Sequence, residues 1–320
     1  MSFSSDVKKE LFSNIPSARH CRIAELYALL SFCGKLIITP KDEYILSFTS
    51  EHEMLAEKYA VLLKRIFQIE AQVQVKSDRR RRSSEVYTVI LREEEEVRRV
   101  LEALRILNKD GVPEENEATL VHQVLLQRNC CRRAFIRGAF LAAGSISDPE
   151  KSYHFEIVCQ DSSFAEQIAE LMIATGIEAR CVARKKYMVV YVKDSSLISD
   201  LLGMMEATVS LLTFENVRVM HEVRGNVSRK VNCETANINK TANAAAKQIN
   251  DIEFIEKKTG FAKLSNGLDE MARVRLQYPT ATLQELGKLL DPPVGKSGVN
   301  HRLRKLSEIA DQLREAEGGI

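Results

Sequence analysis

No stretch of this sequence reaches the roughly 18 consecutive apolar residues that a membrane-spanning helix needs. The opening run MSFSSDVKKELFSNIP lacks the unbroken apolar segment of a secretory signal. Both absences point to a folded protein of the cytosol. Cysteine is sparse and badly spaced for bridging: seven residues, at 21, 33, 130, 131, 159, 181 and 233, form an odd number with no C-x-x-C pair. This pattern fits reduced thiols better than a disulfide frame or a zinc site, and no metal or cofactor is expected. The adjacent Cys130 and Cys131 read as packing rather than redox chemistry. Neither G-x-S-x-G nor G-x-G-x-x-G occurs, which removes the hydrolase elbow and the dinucleotide fingerprint. The GKS at 295–297 lacks the upstream glycine of a phosphate loop, because position 290 is Leu. Six histidines are scattered without i, i+4 pairing, and His154 reads as a packed or hydrogen-bonded residue.

What is present is a 320-residue chain with 45% apolar residues, enough for two or three domains with real cores. The net charge is only +2, but it is unevenly spread. Residues 1–223 hold 30 Lys and Arg against 32 Asp and Glu, whereas residues 224–320 hold 16 against 12. The C-terminal part is therefore the basic part.

The periods repeat along the chain. An apolar helical stripe from Arg22 to Cys33 stops at Gly34, and KLIITP with EYILSF reads as a hairpin. A helix follows at about 51–68, then strands near 71–76 and 85–91, then a helix near 93–107 whose EEEE opening suits the positive end of the helix dipole. The second half repeats this order: a helix near 131–143 ending at Gly144, a hairpin around SISDPEKSYHFEIVC, a helix near 161–175, strands near 178–183 and 187–192, and helices within 194–212. Gly34 and Gly144 are equivalent, 110 residues apart. The expectation is an α+β fold with two αββαββα halves related by a pseudo-twofold axis over residues 1–223.

From about 224 the composition turns to Asn, Lys, Arg and Ala, which reads as a linker over 224–258. Its second part can be helical, since Ile238, Ala242, Ala245, Ile249 and Ile252 repeat at 4-3-4-3 spacing. Residues 259–320 predict three helices. Leu264, Leu268, Met271 and Arg275 trace the first; Thr282 and Glu285 form a capping box that opens the second; Ser297 is the expected N-cap of the third. In that third helix Val299, Leu303, Leu306 and Ala310 share one face. Between Lys296 and Lys305 there are four basic residues and no acid. A capped second helix followed by a short helix with a buried stripe and a cationic outer face is what a helix-turn-helix needs. The turn DPPVGK, 291–296, is longer than in the simplest such motif. The candidate DNA-binding set is Thr282, Lys296, Ser297, Gly298, Asn300, His301, Arg302, Arg304 and Lys305. Arg79, Arg80, Arg81 and Arg82 in one hairpin turn, and Arg184, Lys185 and Lys186 in its equivalent, are candidate phosphate contacts.

IRGAFLAAG at 136–144 and LYALLSFCG at 26–34 resemble the signature helices of LAGLIDADG homing endonucleases. In that family the two helices pack at the centre of a pseudo-twofold domain, and an acidic residue before each final glycine binds a divalent metal. The matching positions here are Cys33 and Ala143, so the resemblance implies the packing without the cutting. Asp148 and Glu150 lie close by, but in one half only. The small residues that permit close helix contact remain at Ala28, Gly34, Gly138, Ala142 and Gly144. Together with the downstream string PPVGKSGVNHRLRKL, the whole chain resembles the WhiA family of bacterial regulators. That resemblance implies a non-enzymatic double-stranded-DNA-binding protein, nucleoid-associated, acting in sporulation transcription, cell division and chromosome segregation, with protein partners of those processes. The alternative is an interaction protein of the division or nucleoid machinery whose DNA binding is incidental.

Overall fold

A helix that the periodicity did not announce opens the chain. This α1 (Phe3–Ser13) is capped by the Ser2 hydroxyl, which accepts from the Ser5 amide at 3.3 Å. The computed structural model describes residues 2–40, 43–78, 84–107, 124–265 and 267–318. These divide into two units, with the boundary between His221 and Glu222.

In the first unit the order is α2 (Arg19–Cys33), β1 (Gly34–Ile38), β2 (Tyr44–Ser50), α3 (Glu53–Phe67), β3 (Val73–Asp78), β4 (Ser84–Leu91) and α4 (Glu94–Ala103). It then repeats as α5 (Asn129–Ala143), β5 (Gly144–Ile146), β6 (Phe155–Cys159), α6 (Ser162–Ile173), β7 (Arg180–Arg184), β8 (Tyr187–Val192) and α7 (Ser195–Met204). Each half forms a four-stranded antiparallel sheet, in the order β1-β2-β4-β3 and β5-β6-β8-β7. The registers correspond: Gly34 pairs with Phe48, and Gly144 with Ile157. Strand alternation puts Leu46 and Phe48 inward in one sheet and Phe155, Ile157 and Cys159 inward in the other. The helix layer meets them there. Phe48 stacks on Tyr59 of α3 at 4.2 Å between ring centres, and Phe155 stacks on Phe140 of α5 at 5.2 Å. Local chemistry fixes the helix ends: Asp161 and Asp194 cap α6 and α7, and Gln68 closes α3 in the left-handed region at φ 64°.

Helices α2 and α5 pack along the pseudo-twofold axis. Position 138 must be glycine there, because a Cβ would lie 2.8 Å from the Ala28 Cβ and 2.9 Å from the Glu25 carbonyl oxygen. Ala28 and Gly138 are themselves equivalent residues of the two halves, so the axis passes between them. On one side of it the fully buried Glu25 carboxylate receives Arg137 Nη2 at 3.0 Å and Lys58 Nζ at 2.8 Å. Lys58 also donates to the Leu11 and Asn14 carbonyls at 2.7 and 2.6 Å, and Arg137 reaches Glu206 at 2.8 Å. On the other side Tyr27 packs on Phe135 with ring centres 5.9 Å apart.

The next helix, α8 (Thr208–Thr259), runs unbroken through the segment read as a linker with a helix in its second part. The stretch holds no proline, and a helix can be polar all round where nothing packs on it. Ile238 is accordingly 68% exposed, whereas Ile252 and Ile255 are buried. The amides of Val209 and Ser210 at its start donate to the Glu10 carboxylate of α1 at 2.8 and 2.9 Å. Burial alone would raise the Glu10 pKa, but the Ser210 hydroxyl and these two amides outweigh it and hold the carboxyl below its usual range.

The second unit continues from α8 with a turn of 3-10 helix (Phe261–Lys263), then α9 (Leu268–Gln277), α10 (Leu283–Lys288) and α11 (Lys296–Gly318). Its own core comprises Ile252, Ile255, Phe261, Met271, Ala272, Leu286, Leu290, Val299, Leu303, Leu306 and Ala310. Among the described residues no helix is long and apolar enough to cross a membrane.

Candidate nucleic-acid interface

The second unit is built to hold α11 at a fixed angle to α10. The Thr282 hydroxyl accepts from the Glu285 amide at 3.3 Å, and the Glu285 carboxylate accepts from the Thr282 amide at 2.8 Å. That bond, with the Thr282 hydroxyl second, lowers the Glu285 pKa. Arg275, nearly fully buried, donates to the Ala281 carbonyl at 2.7 Å and so joins α9 to the entry of α10. Glu270 accepts from the Asp291 amide at 2.8 Å, anchoring the turn to α9. Across that turn the Val294 amide donates to the Gly287 carbonyl at 2.8 Å. A Cβ on Gly287 would sit 2.0 Å from the Val294 oxygen, so only glycine allows α10 and the start of α11 to come this close.

On α11 the inward face is as the spacing predicts: Val299, Leu303, Leu306 and Ala310 are all buried. Lys296, Ser297, Asn300, His301, Arg304 and Lys305 are exposed and share the other side of its first turns. One anticipated role changes, that of Ser297, and Arg302 and Gly298 have contacts that the spacing did not announce. Ser297 is not the N-cap, because the helix starts at Lys296 and its Val299 amide already donates to the Gly295 carbonyl at 3.1 Å. Arg302 turns away from this face. Its guanidinium donates to the Gly267 carbonyl at 3.4 Å and covers that glycine, which has no side chain to block it. Gly298 is half-buried and meets Val294, whose Cγ1 would lie 2.3 Å from an added Cβ. Arg304 leans on Glu308 at 3.2 Å in an exposed i, i+4 pair, a contact weak enough to exchange for a stronger anion.

Three family models match in the same order along the chain: the WhiA N-terminal LAGLIDADG-like domain over residues 19–107, the WhiA LAGLIDADG-like domain over 132–224, and the WhiA C-terminal HTH domain over 227–310. The chain belongs to the WhiA family. Curated WhiA relatives are similar over their whole length. The "Probable cell division protein WhiA" of Lachnoclostridium phytofermentans is 46% identical over 98% of this chain and 100% of its own. That of Lachnospira eligens is 43% identical over 99% of each. A crystal structure of full-length WhiA from Thermatoga maritima shares the fold at 23% identity and a TM-score of 0.57, covering 98% of this chain and 99% of that one. The architecture is thus a mixed α/β LAGLIDADG-like unit with two antiparallel sheets, followed by a helical HTH unit.

In the LAGLIDADG-like unit of this WhiA-family chain, Cys33 and Ala143 are the last residues of α2 and α5. Burial pushes the half-buried Cys33 thiol up to about 11, with nearby Lys8 pulling the other way. Lys8 comes from α1 and also lies 5.7 Å from the Phe140 ring centre. Asp148 is engaged locally, accepting from the Glu150 amide at 3.1 Å, with Lys151 at 3.9 Å. Arg184 pairs with Glu156 at 3.1 Å, next to His154, whose Nε2 donates to the same carboxylate at 3.1 Å. Lys185 sits at the β7–β8 turn with φ 57°, and the Lys186 ammonium lies 5.1 Å from the Tyr187 ring centre. Arg79, Arg80, Arg81 and Arg82 lie outside the described residues.

Proposed function

We propose that this chain is a non-enzymatic regulator that binds double-stranded DNA, with the first turns of α11 entering the major groove. The observation that carries the reading is the acid-free exposed strip of Lys296, Ser297, Asn300, His301, Arg304 and Lys305, held rigid by the buried stripe and by the Gly287 contact. Arg and Asn can each grip a purine edge with two hydrogen bonds, worth about 1–3 kcal/mol of base discrimination apiece. Lysines at the rim meet phosphates, each adding about 0.9 to the slope of log K on log salt. Arg302 and Gly298 contribute by shaping the helix seat, and Thr282 by capping α10.

The LAGLIDADG-like unit then positions DNA or partners and does not cut. A hard divalent cation needs oxygen ligands; the helix ends offer a thiol and a methyl group, with the Lys8 ammonium close by. Arg184, Lys185 and Lys186 are proposed as phosphate contacts at the edge of the second sheet, Arg184 by exchanging Glu156 for phosphate, and Arg79, Arg80, Arg81 and Arg82 as their counterparts. The relatives' name supports a setting in cell division; we extend it to transcription linked to chromosome segregation and sporulation.

The test uses fragments enriched by the full chain from sheared genomic DNA, followed by fluorescence anisotropy. Arg304→Ala and Lys305→Ala are expected to weaken binding at least tenfold, and Lys296→Ala to flatten the salt dependence. Unchanged affinity in the Arg304 and Lys305 variants would remove α11 as the reading element. Magnesium-dependent nicking by the purified chain, absent from a matched control preparation, would end the non-enzymatic reading.

A further inference from the structure

At the opposite end of α2 and α5 from Cys33 and Ala143, the first turns of the two helices bring together four soft-metal ligands. His20 and Cys21 come from α2, and Cys130 and Cys131 from α5. These are equivalent positions: 20 matches 130, and 21 matches 131, with the 110-residue offset that relates Gly34 to Gly144. The cluster therefore lies on the pseudo-twofold axis, with ligands supplied in pairs by the two halves. The His20 Nδ1 lies 3.2 Å from Cys131 Sγ, 3.3 Å from Cys21 Sγ and 4.0 Å from Cys130 Sγ. All four donor atoms fall within 4.8 Å of one another. Tetrahedral zinc with Zn–S bonds of about 2.3 Å holds its donors about 3.8 Å apart, so the set spans the right size before any adjustment.

From this convergence we propose that His20 Nδ1, Cys21, Cys130 and Cys131 form a structural Cys3His zinc site that joins the two halves of the LAGLIDADG-like unit. Three thiolates with one imidazole are the donor set of closed zinc sites, and they select against magnesium or calcium. On binding, the three thiols give up three protons and the ion takes four protein ligands, which leaves no open position for catalysis. The resulting centre carries one net negative charge. Its surroundings suit that charge: the ligands sit in the first turns of α2 and α5, at the positive ends of the helix dipoles, and neither N-cap, Ala18 or Arg128, provides a side-chain hydrogen bond there. Burial is graded as in a site at a domain surface, with Cys21 and Cys131 buried, His20 half-buried and Cys130 exposed. The zinc spacing rules that read along a chain miss this site because its ligands are neighbours in pairs, far apart in sequence.

The full chain, purified under reducing conditions without chelator, is expected to carry equimolar zinc by elemental analysis. Cys21→Ser and Cys131→Ser should each lose it, while Cys33→Ser and Cys181→Ser should keep it. If the first two fail to fold, the wild-type chain stripped by chelator and titrated with cobalt decides the matter. The intense visible bands and thiolate charge-transfer absorption of tetrahedral cobalt should appear, saturate at one equivalent and be bleached by zinc. A reduced wild-type chain with far less than equimolar zinc and no such cobalt spectrum would overturn the proposal. So would stoichiometric metal retained by both variants, or a disulfide from Cys21 to Cys130 or Cys131 in anaerobically purified protein.

Discussion

Replacing Glu25 by Gln keeps the shape of the side chain at the centre of the first unit and removes its charge. Glu25 is fully buried, and Lys58 and Arg137 are each 3% exposed, so solvent cannot compensate. Removing one member of a buried ion pair costs about 3–5 kcal/mol. The upper end is set by an escape. Burial, more than any other factor, already lowers the Lys58 pKa, and the Glu25 charge is the largest influence opposing it. Without that charge the folded variant can release the Lys58 proton, and at pH 7 this costs about 4.6 kcal/mol relative to an ordinary lysine near 10.4. The Leu11 and Asn14 carbonyls at 2.7 and 2.6 Å and the Arg137 bond to Glu206 keep some of the loss from being realised. The sign with pH follows from which state holds the proton. The unfolded chain keeps Lys58 charged up to its ordinary pKa while the folded variant does not, so the variant gains stability as pH rises, by about 1.4 kcal/mol per unit inside that window. Urea unfolding followed by circular dichroism and tyrosine emission, clean because the chain has no tryptophan, measures both quantities. A loss under about 1 kcal/mol at pH 7, or one that does not shrink toward alkaline pH, would refute the reasoning.

Glu10 gives the opposite sign. Its folded pKa is held below that of the unfolded chain, so its contribution at the start of α8 is present above the usual glutamate range and fades as pH falls through the depressed value. Glu10→Gln should cost about 1 kcal/mol at neutral pH, as other lost helix caps do, and almost nothing in acid, read by paired thermal melts across pH. Gly287→Ala forces a methyl group onto the Val294 carbonyl and should destabilise the second unit by about 1–3 kcal/mol. DNA affinity should fall with it, and a variant with an unaltered melt would show that the close approach of α10 and α11 is dispensable.

Legibility in the sequence followed the range of the interaction. The capping box of Thr282 and Glu285, the stripe from Val299 to Ala310, and the helix-ending glycines at 34 and 144 all act within a few residues, and each stands where the spacing placed it. Contacts across the chain were hidden. Nothing near Arg302 in sequence says that its guanidinium will find a glycine 35 residues upstream, and nothing near Glu25 announces partners at 58 and 137. The cysteine count was read for spacing along the chain, whereas His20 and Cys131 meet only because two helices start side by side. At 224–258 the spacing announced a helix only in the second part of the segment, and because nothing in that stretch stops a helix begun at Thr208, the helix extends through all of it.

The contacts that flank the axis between α2 and α5 are twins in position and opposites in chemistry. Residue 25 is the counterpart of 135, and 27 of 137, so the Glu25–Arg137 ion pair and the Tyr27–Phe135 ring pair occupy the same place seen from either half. Were the first half to pair with a copy of itself, it would bury two carboxylates against tyrosines; the second half would bury two guanidinium groups against phenylalanines. Neither self-pairing keeps the cross-axis ion pair: the guanidinium groups would lose their Glu25 carboxylate, and each carboxylate would keep only Lys58 of its own half. The two halves are therefore alike in fold and unlike at their seam, where each presents the chemical complement of the other and not of itself.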